Sequence, residues 1–163
     1  MRARQANTTV QSVLDAGAVY VFNGTLRHWT QVQKLTAADG SAGDNFGTLL
    51  SLHNDRVVIS SPGSVGAAFD DSLAETSTVG AAYVYERSAD GVLWSRTSKL
   101  YAKDMAAGNY FGEHVGVYDD WVVSTSRNDA LTHGTDTKCT RSDKCWSGSA
   151  YMFKQINSRW SQQ

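Results

Sequence analysis

One pattern occurs three times along this chain. GAVYVF (Gly17–Phe22) returns as GAAYVY (Gly80–Tyr85) and again as GSAYMF (Gly148–Phe153). Between the first two lies KLTAADGSAGDNFG (Lys34–Gly47), and between the last two lies KLYAKDMAAGNYFG (Lys99–Gly112). A duplicated supersecondary unit sets the architecture before any local motif does, because each copy buries its apolar face against a neighbouring copy. The register is strict. Trp29 to Trp94, Lys34 to Lys99, Asp39 to Asp104, Phe46 to Phe111 and Val57 to Val122 are each 65 positions apart, and Trp160 follows Trp94 by 66. Length varies only just ahead of the GAxY segments, in residues 62–79 and 127–147. Indels confined to one place in each copy mark surface loops on one side of the assembly.

Within a copy the signals are those of short antiparallel strands. The pattern predicts strands over Phe46–Leu52, Arg56–Ser60, Ala81–Arg87 and Leu93–Ser98. The second copy gives Phe111–Tyr118, Trp121–Thr125, Ser149–Lys154 and Arg159–Ser161. The turns between them fall at His53-Asn54-Asp55, Ala89-Asp90-Gly91, Asp119-Asp120 and Ile156-Asn157-Ser158, with Asn23-Gly24 as the matching hairpin tip of the first copy. Asn, Asp and Gly tolerate the positive φ that matches strand twist in tight hairpins. Fourteen glycines against one proline, with five tryptophans and seven tyrosines, suit such a sheet protein. A turn of helix within Ala67–Thr76 is the sole helical suggestion. Four antiparallel strands repeated radially are the blades of a β-propeller.

The combination W-x4-KL-x3-D-x4-(D/N)-x-FG, then a hairpin, then GAxY, resembles the FG-GAP repeat found in the head of integrin α subunits and in many extracellular proteins. The resemblance covers residues 17–163 and implies an all-β fold: antiparallel four-stranded blades of a propeller. On this reading residues 1–16 are an N-terminal extension, 17–35 the outer hairpin of a partial blade, 36–100 one repeat, and 101–163 a second, cut short at its end. About two and a half blades make an incomplete ring. Open sheet edges demand a partner. The chain is therefore expected to be a portion of a larger protein or, alternatively, a structural subunit of a cell-surface assembly or filament built by head-to-tail strand pairing.

Several chemistries are disfavoured. With 15 basic and 16 acidic residues there is no field for a polyanion, and the nearest basic group, Lys138, Arg141 and Lys144, sits in one loop, so nucleic acid is not expected as a partner. No apolar run approaches the ~20 residues of a membrane span. MRARQANTTVQ lacks the hydrophobic stretch of a signal peptide. FG-GAP propellers of the integrin type often hold Ca²⁺ in a D-x-D-x-D-G loop, since calcium takes six to eight oxygens. The corresponding turns here, His53-Asn54-Asp55 and Tyr118-Asp119-Asp120, are too short, so the usual calcium motif is absent and no cofactor is expected. Asp39, Asp44, Asp104 and Asn109 are better explained by turns and bonds to nearby amides.

No catalytic site can be assembled. Glu113-His114 is the one adjacent acid–base pair, and successive strand residues point to opposite faces. There is no G-x-S-x-G, H-E-x-x-H or phosphate loop. Cys139 and Cys145 are the only cysteines and suggest a small disulfide-closed loop in an oxidising compartment. A zinc site with His133 and a reduced, inert pair are the weaker alternatives. Asn7-Thr8-Thr9 and Asn23-Gly24-Thr25 are N-glycosylation triplets, the latter at an expected exposed tip. The expectation is an extracellular or cell-surface module, not an enzyme, that presents its variable loops to a protein or glycan ligand or to other copies of the chain. Phe69, Asp70, Asp71 and Trp146 are the candidate contact residues, although Trp146 fits equally well packed beneath its own loop.

Overall fold

The structure is a computed structural model that describes residues 14–65, 78–127 and 148–163. Strands β1 (Val19–Thr25) and β2 (His28–Leu35) form a two-stranded sheet. Strands β3 (Leu50–His53), β4 (Arg56–Ser61), β5 (Ala81–Arg87) and β6 (Trp94–Leu100) form a four-stranded antiparallel sheet in that order. Strands β7 (Val115–Tyr118), β8 (Trp121–Ser126), β9 (Ser149–Ile156) and β10 (Arg159–Gln162) repeat it. There is no helix and no closed ring among the described residues, and the architecture is that of an incomplete propeller. The expected helical turn within 67–76 lies outside the described residues.

The blades stack by one rule, applied twice. Alternation along a strand sends successive side chains to opposite faces, so each blade has a face toward its predecessor and a face toward its successor. Leu35, Val19, Val21 and Ala37 from the first blade meet Phe46, Val57, Ile59, Ala81, Tyr83 and Tyr85 of the second. The other face of the second blade (Val58, Ala82, Val84 and Leu100, with Ala102) meets Phe111, Val122, Tyr151 and Phe153 of the third. The residues correspond position for position: Leu35 with Leu100, Ala37 with Ala102, Phe46 with Phe111. Even the irregularity is copied, since β1 and β5 each carry a register shift, after Val21 and after Val84.

Each junction is closed by the Phe-Gly pair. Phe46 donates its N–H to Ala16 O at 3.0 Å and forms a parallel bridge with Gly17. Phe111 donates to Val79 O at 2.8 Å and bridges Gly80 in the same way. The phenylalanine therefore docks on the residue preceding and the glycine opening the GAxY segment of the blade before. Its ring then packs against two aromatics of its own blade, edge-on except for the tilted Phe111–Tyr151 pair: Phe46 lies 5.3 Å from Tyr83 and 6.1 Å from Tyr85, and Phe111 lies 5.6 Å from Tyr151 and 5.9 Å from Phe153. Such pairs add to the burial of the ring itself. Glycine is required at the receiving position, because a Cβ on Gly17 or Gly80 would lie 2.0 Å from the phenylalanine carbonyl oxygen. Both phenylalanines are buried, as expected of anchors between blades.

Three local expectations change. The inner strands begin at Leu50 and Val115, not at Phe46 and Phe111, because the Phe-Gly pairs are committed to the preceding blade and turn sharply at Gly47 and Gly112. Leu93 lies ahead of β6, which runs Trp94–Leu100. The first hairpin turns at Leu26-Arg27, not at Asn23-Gly24, which lie within β1 opposite Thr30 and Trp29. Gly24 serves close approach there, since a Cβ would lie 2.2 Å from His28 O and 2.9 Å from the Trp29 ring.

The tight docking separates two costs of adding a methyl group. Gly80 and Gly108 share φ of +84°, yet a Cβ on Gly108 meets nothing within 4 Å. Gly108→Ala should therefore cost roughly 1–2 kcal/mol for the left-handed backbone, and Gly80→Ala at least ~3 kcal/mol, read from denaturant unfolding. Equal losses would contradict the docking account.

Candidate functional site

The two ends of the blades are built differently. At the tight-turn end, Arg56 straps the second blade to the third. Its Nη2 donates to Glu86 Oε1 at 2.7 Å and to Gln155 Oε1 at 2.6 Å, Nη1 donates to the Asp119 carbonyl, and the guanidinium lies 5.1 Å from the Trp160 ring centre. His53 Nε2 meets Asp119 Oδ1 at 3.0 Å. A planar, five-donor cation suits this many directions at once, and the polar groups around it are engaged with one another. This end also has a hollow, of about 480 Å³, but the charged groups lining it fasten the two blades to each other.

The loop end holds a cleft of about 530 Å³ lined by both repeats: Gly43, Asn45, Thr48, Pro62, Gly63 and Thr78 from one, and Tyr110, Glu113 and Arg127 from the next. Pro62 and Thr78 flank one variable loop, and Arg127 begins the other. The close approach of Gly63 to Gly43, where a Cβ on Gly63 would lie 1.9 Å from Gly43 O, brings the first repeat's two segments together. Across from them, Arg127 Nη1 donates to Glu113 Oε1 at 2.9 Å, and its guanidinium lies 4.9 Å from the Tyr110 ring centre. A cation over an aromatic face is favourable and orders both groups.

Tyr110 is the unusual member. Its φ is +55°, and its counterpart Asn45 has φ of +54°. Asparagine visits this region readily, whereas for a bulky residue it is an outlier held by the surrounding structure. The constraint comes from the Phe-Gly docking one residue later. The second repeat thus places a strained aromatic ring where the first has an ordinary turn residue.

Glu113 and His114 lie in a bend just ahead of β7, not on the inner strand expected from the sequence; Glu113 meets Arg127, while His114 Nδ1 is 3.5 Å from Thr125 Oγ1. Asp39 sits in a turn closed by Gly40 N–H to Ala37 O at 3.1 Å, and pairs with Lys99 at 2.8 Å and with Arg96. Burial opposes its ionisation, but the bond and charge of Lys99, with Arg96, outweigh it and hold the carboxyl below its usual value. Asp44 Oδ2 accepts the Ser41 N–H at 2.9 Å, as a bond to a nearby amide was expected to do. Its Oδ1 is buried without a partner among the described residues. Asn23 is exposed on β1. Asn7, Phe69, Asp70, Asp71, Cys139, Cys145 and Trp146 lie outside the described residues, as do His133, Lys138, Arg141 and Lys144.

A model of the FG-GAP repeat matches twice, over residues 29–85 and 94–153, more than half of the chain. The chain belongs to the FG-GAP repeat family. Such repeats form propeller-type modules, are typical of extracellular and cell-surface proteins, and mediate protein interactions, typically without catalysis. No curated protein gives a significant match to the chain. No helix among the described residues is long and apolar enough to cross a membrane.

Of the cleft residues, Tyr110 and Arg127 were not singled out from the sequence, and Glu113 was noted only as the neighbour of His114. One signal was available: aligning GDNFG with GNYFG puts tyrosine where the turn asks for asparagine.

Asp44 yields a pH test with an internal control. Burial pushes its carboxyl above the ordinary value, with the Ser41 bond only partly offsetting this. A raised carboxyl pKa favours the fold at low pH, and the favour is lost as pH rises through the folded pKa. Asn109 holds the same place in the next repeat. Asp44→Asn should therefore raise the unfolding midpoint at pH 7, and the gain should shrink toward zero as pH falls to the ordinary carboxyl value of 3.8. A loss of stability at neutral pH would contradict this assignment.

Proposed function

We propose that this chain is an extracellular FG-GAP propeller segment that serves as a non-catalytic recognition module, binding a protein or glycan at the loop end of its blades. The observation that carries this reading is the loop-end cleft, where Tyr110, Glu113 and Arg127 of one repeat face Asn45, Thr48 and Thr78 of the other. Rigid blades carrying loops are the usual way a scaffold presents recognition residues. The cleft offers an aromatic ring, hydroxyls and an amide, which suit polar ligands with some apolar surface. Its acid and base are bonded to each other, an arrangement that orders a binding wall rather than poising a proton for transfer.

Phe69, Asp70 and Asp71 fall in sequence between the cleft residues Gly63 and Thr78, and Trp146 follows Arg127; all four are proposed as further contacts. Asn7 and Asn23 are proposed glycan acceptors, Asn23 with an exposed side chain. Cys139 and Cys145 are proposed to form a disulfide that closes the longer loop, consistent with an oxidising setting. Peptide mapping without reductant should find these two cysteines in one linked species, and two free thiols would contradict the pairing.

The binding reading is tested on arrays of glycans and of cell-surface ectodomains. For a ligand that the intact chain retains, Tyr110→Ala and Arg127→Ala should each weaken binding about tenfold, or ~1.4 kcal/mol, without lowering the unfolding midpoint. Undiminished binding by both variants would remove the cleft from the account.

A further inference from the structure

Among the described residues two apolar faces remain uncovered, and they are the complementary halves of the junction that the chain builds twice internally. Val58, Ala82 and Val84 on the second blade are each 0% exposed, because the third blade covers them. Their counterparts on the third blade are Val123, Ala150 and Met152. Val123 is 41% and Met152 50% exposed, and with Gly116, Val117 and Trp121 they line an apolar hollow of about 280 Å³. At the other end, Tyr20 and Phe22 correspond to Tyr83 and Tyr85 of the second blade and to Tyr151 and Phe153 of the third. Those four are buried in junctions, while Tyr20 is 49% and Phe22 52% exposed.

We infer that two copies of this chain associate head to tail, with the Tyr20–Phe22 face of one seated on the Val123–Ala150–Met152 face of the next. The occupant follows from the repeat. What covers a Val/Ala/Val face inside the molecule is a blade presenting a Tyr-x-aromatic pair, and the first blade presents such a pair half-exposed, with no blade packed on it among the described residues and the Lys34 ammonium over the Tyr20 ring. Apolar patches of this kind mark interaction surfaces. The contact joins unlike patches, so it is heterologous, and a pair of copies still has one free face of each kind. It therefore propagates.

The contact is also weaker than an internal junction, for a reason visible at Gly148. A Cβ on Gly17 or Gly80 would lie 2.0 Å from an inserted phenylalanine carbonyl, whereas on Gly148 the nearest atom, Ser126 O, would be 3.4 Å away. The first blade brings no Phe-Gly pair of its own to that position among the described residues. Association by face alone should be reversible and concentration-dependent. The face lies away from the loop-end cleft, so cleft variants should not affect it.

Sedimentation velocity on the intact chain over a concentration series should show mass rising above the monomer. Tyr20→Lys and Met152→Lys each disable one face, and both positions are half-exposed, so each variant should keep its unfolding midpoint and sediment as a monomer. Mixed together, they retain one intact face of each kind and should form a one-to-one dimer that neither forms alone. A monomeric intact chain at every concentration would overturn the inference. So would continued self-association of either variant, which is the outcome expected of like-with-like or strand-edge pairing.

Discussion

The structure depends on a backbone-to-backbone contact between a Phe-Gly pair and the glycine that opens the preceding GAxY segment. A β-sheet with an apolar face is not stable in water by itself, and sheets stacked only through side chains can slide. Here the phenylalanine amide hydrogen-bonds across the junction, at Ala16 and at Val79, before its ring turns into its own blade. The pair is thus held by a directional bond on one side and by two aromatic rings on the other. Glycine at positions 17 and 80 makes the approach physically attainable. Because the contact lies between the last strands of one blade and the first strand of the next, each repeat is completed by its neighbour.

The difference between the two ends of the blades follows from this docking. The chain between Lys-Leu and Phe-Gly crosses from one blade to the next at the loop end, and there Gly43, Asn45 and Tyr110 are brought beside Pro62, Thr78 and Arg127. The opposite end has short turns, of two residues except at 88–93, and is strapped by Arg56 and by the His53–Asp119 pair. Variation in length is therefore tolerated where the chain already crosses between blades, and a cleft opens there as a by-product of stacking. Recognition at that end requires no change in the scaffold. The strained φ of Tyr110 shows the same coupling, since the docking of Phe111 fixes the backbone on which Tyr110 is displayed.

Much of this was legible because duplication lets the sequence be compared with itself. The 65-residue register located the blades, and the turns at Asn54-Asp55, Asp119-Asp120 and Asn157-Ser158 carry their own chemistry, each with a residue at positive φ. The Asn23-Gly24 turn failed for a physical reason. The strands stay paired as far as Thr25 opposite His28, which leaves Leu26-Arg27 as the hairpin tip, and Gly24 instead allows close packing against His28 and Trp29. An Asn-Gly pair signals permissive backbone, and permissive backbone serves close approach as readily as it serves a turn. The Arg56 strap was invisible, because its partners Glu86, Asp119 and Gln155 are far apart in sequence and individually ordinary. The cleft was half legible: the loops were expected at one end, but the wall between them is made by Tyr110 and Glu113, which lie in the most regular part of the repeat.

Native-state hydrogen exchange tests the central claim most directly, through the amides of Phe46 and Phe111. If Phe-Gly docking holds the blades together as one cooperative unit, these two amides should exchange only through the global opening that also releases the mid-sheet amides of Val58 and Val84. Exchange of the phenylalanine amides through a lower-energy local opening, with Val58 and Val84 still protected, would show that the blades are held together by something else.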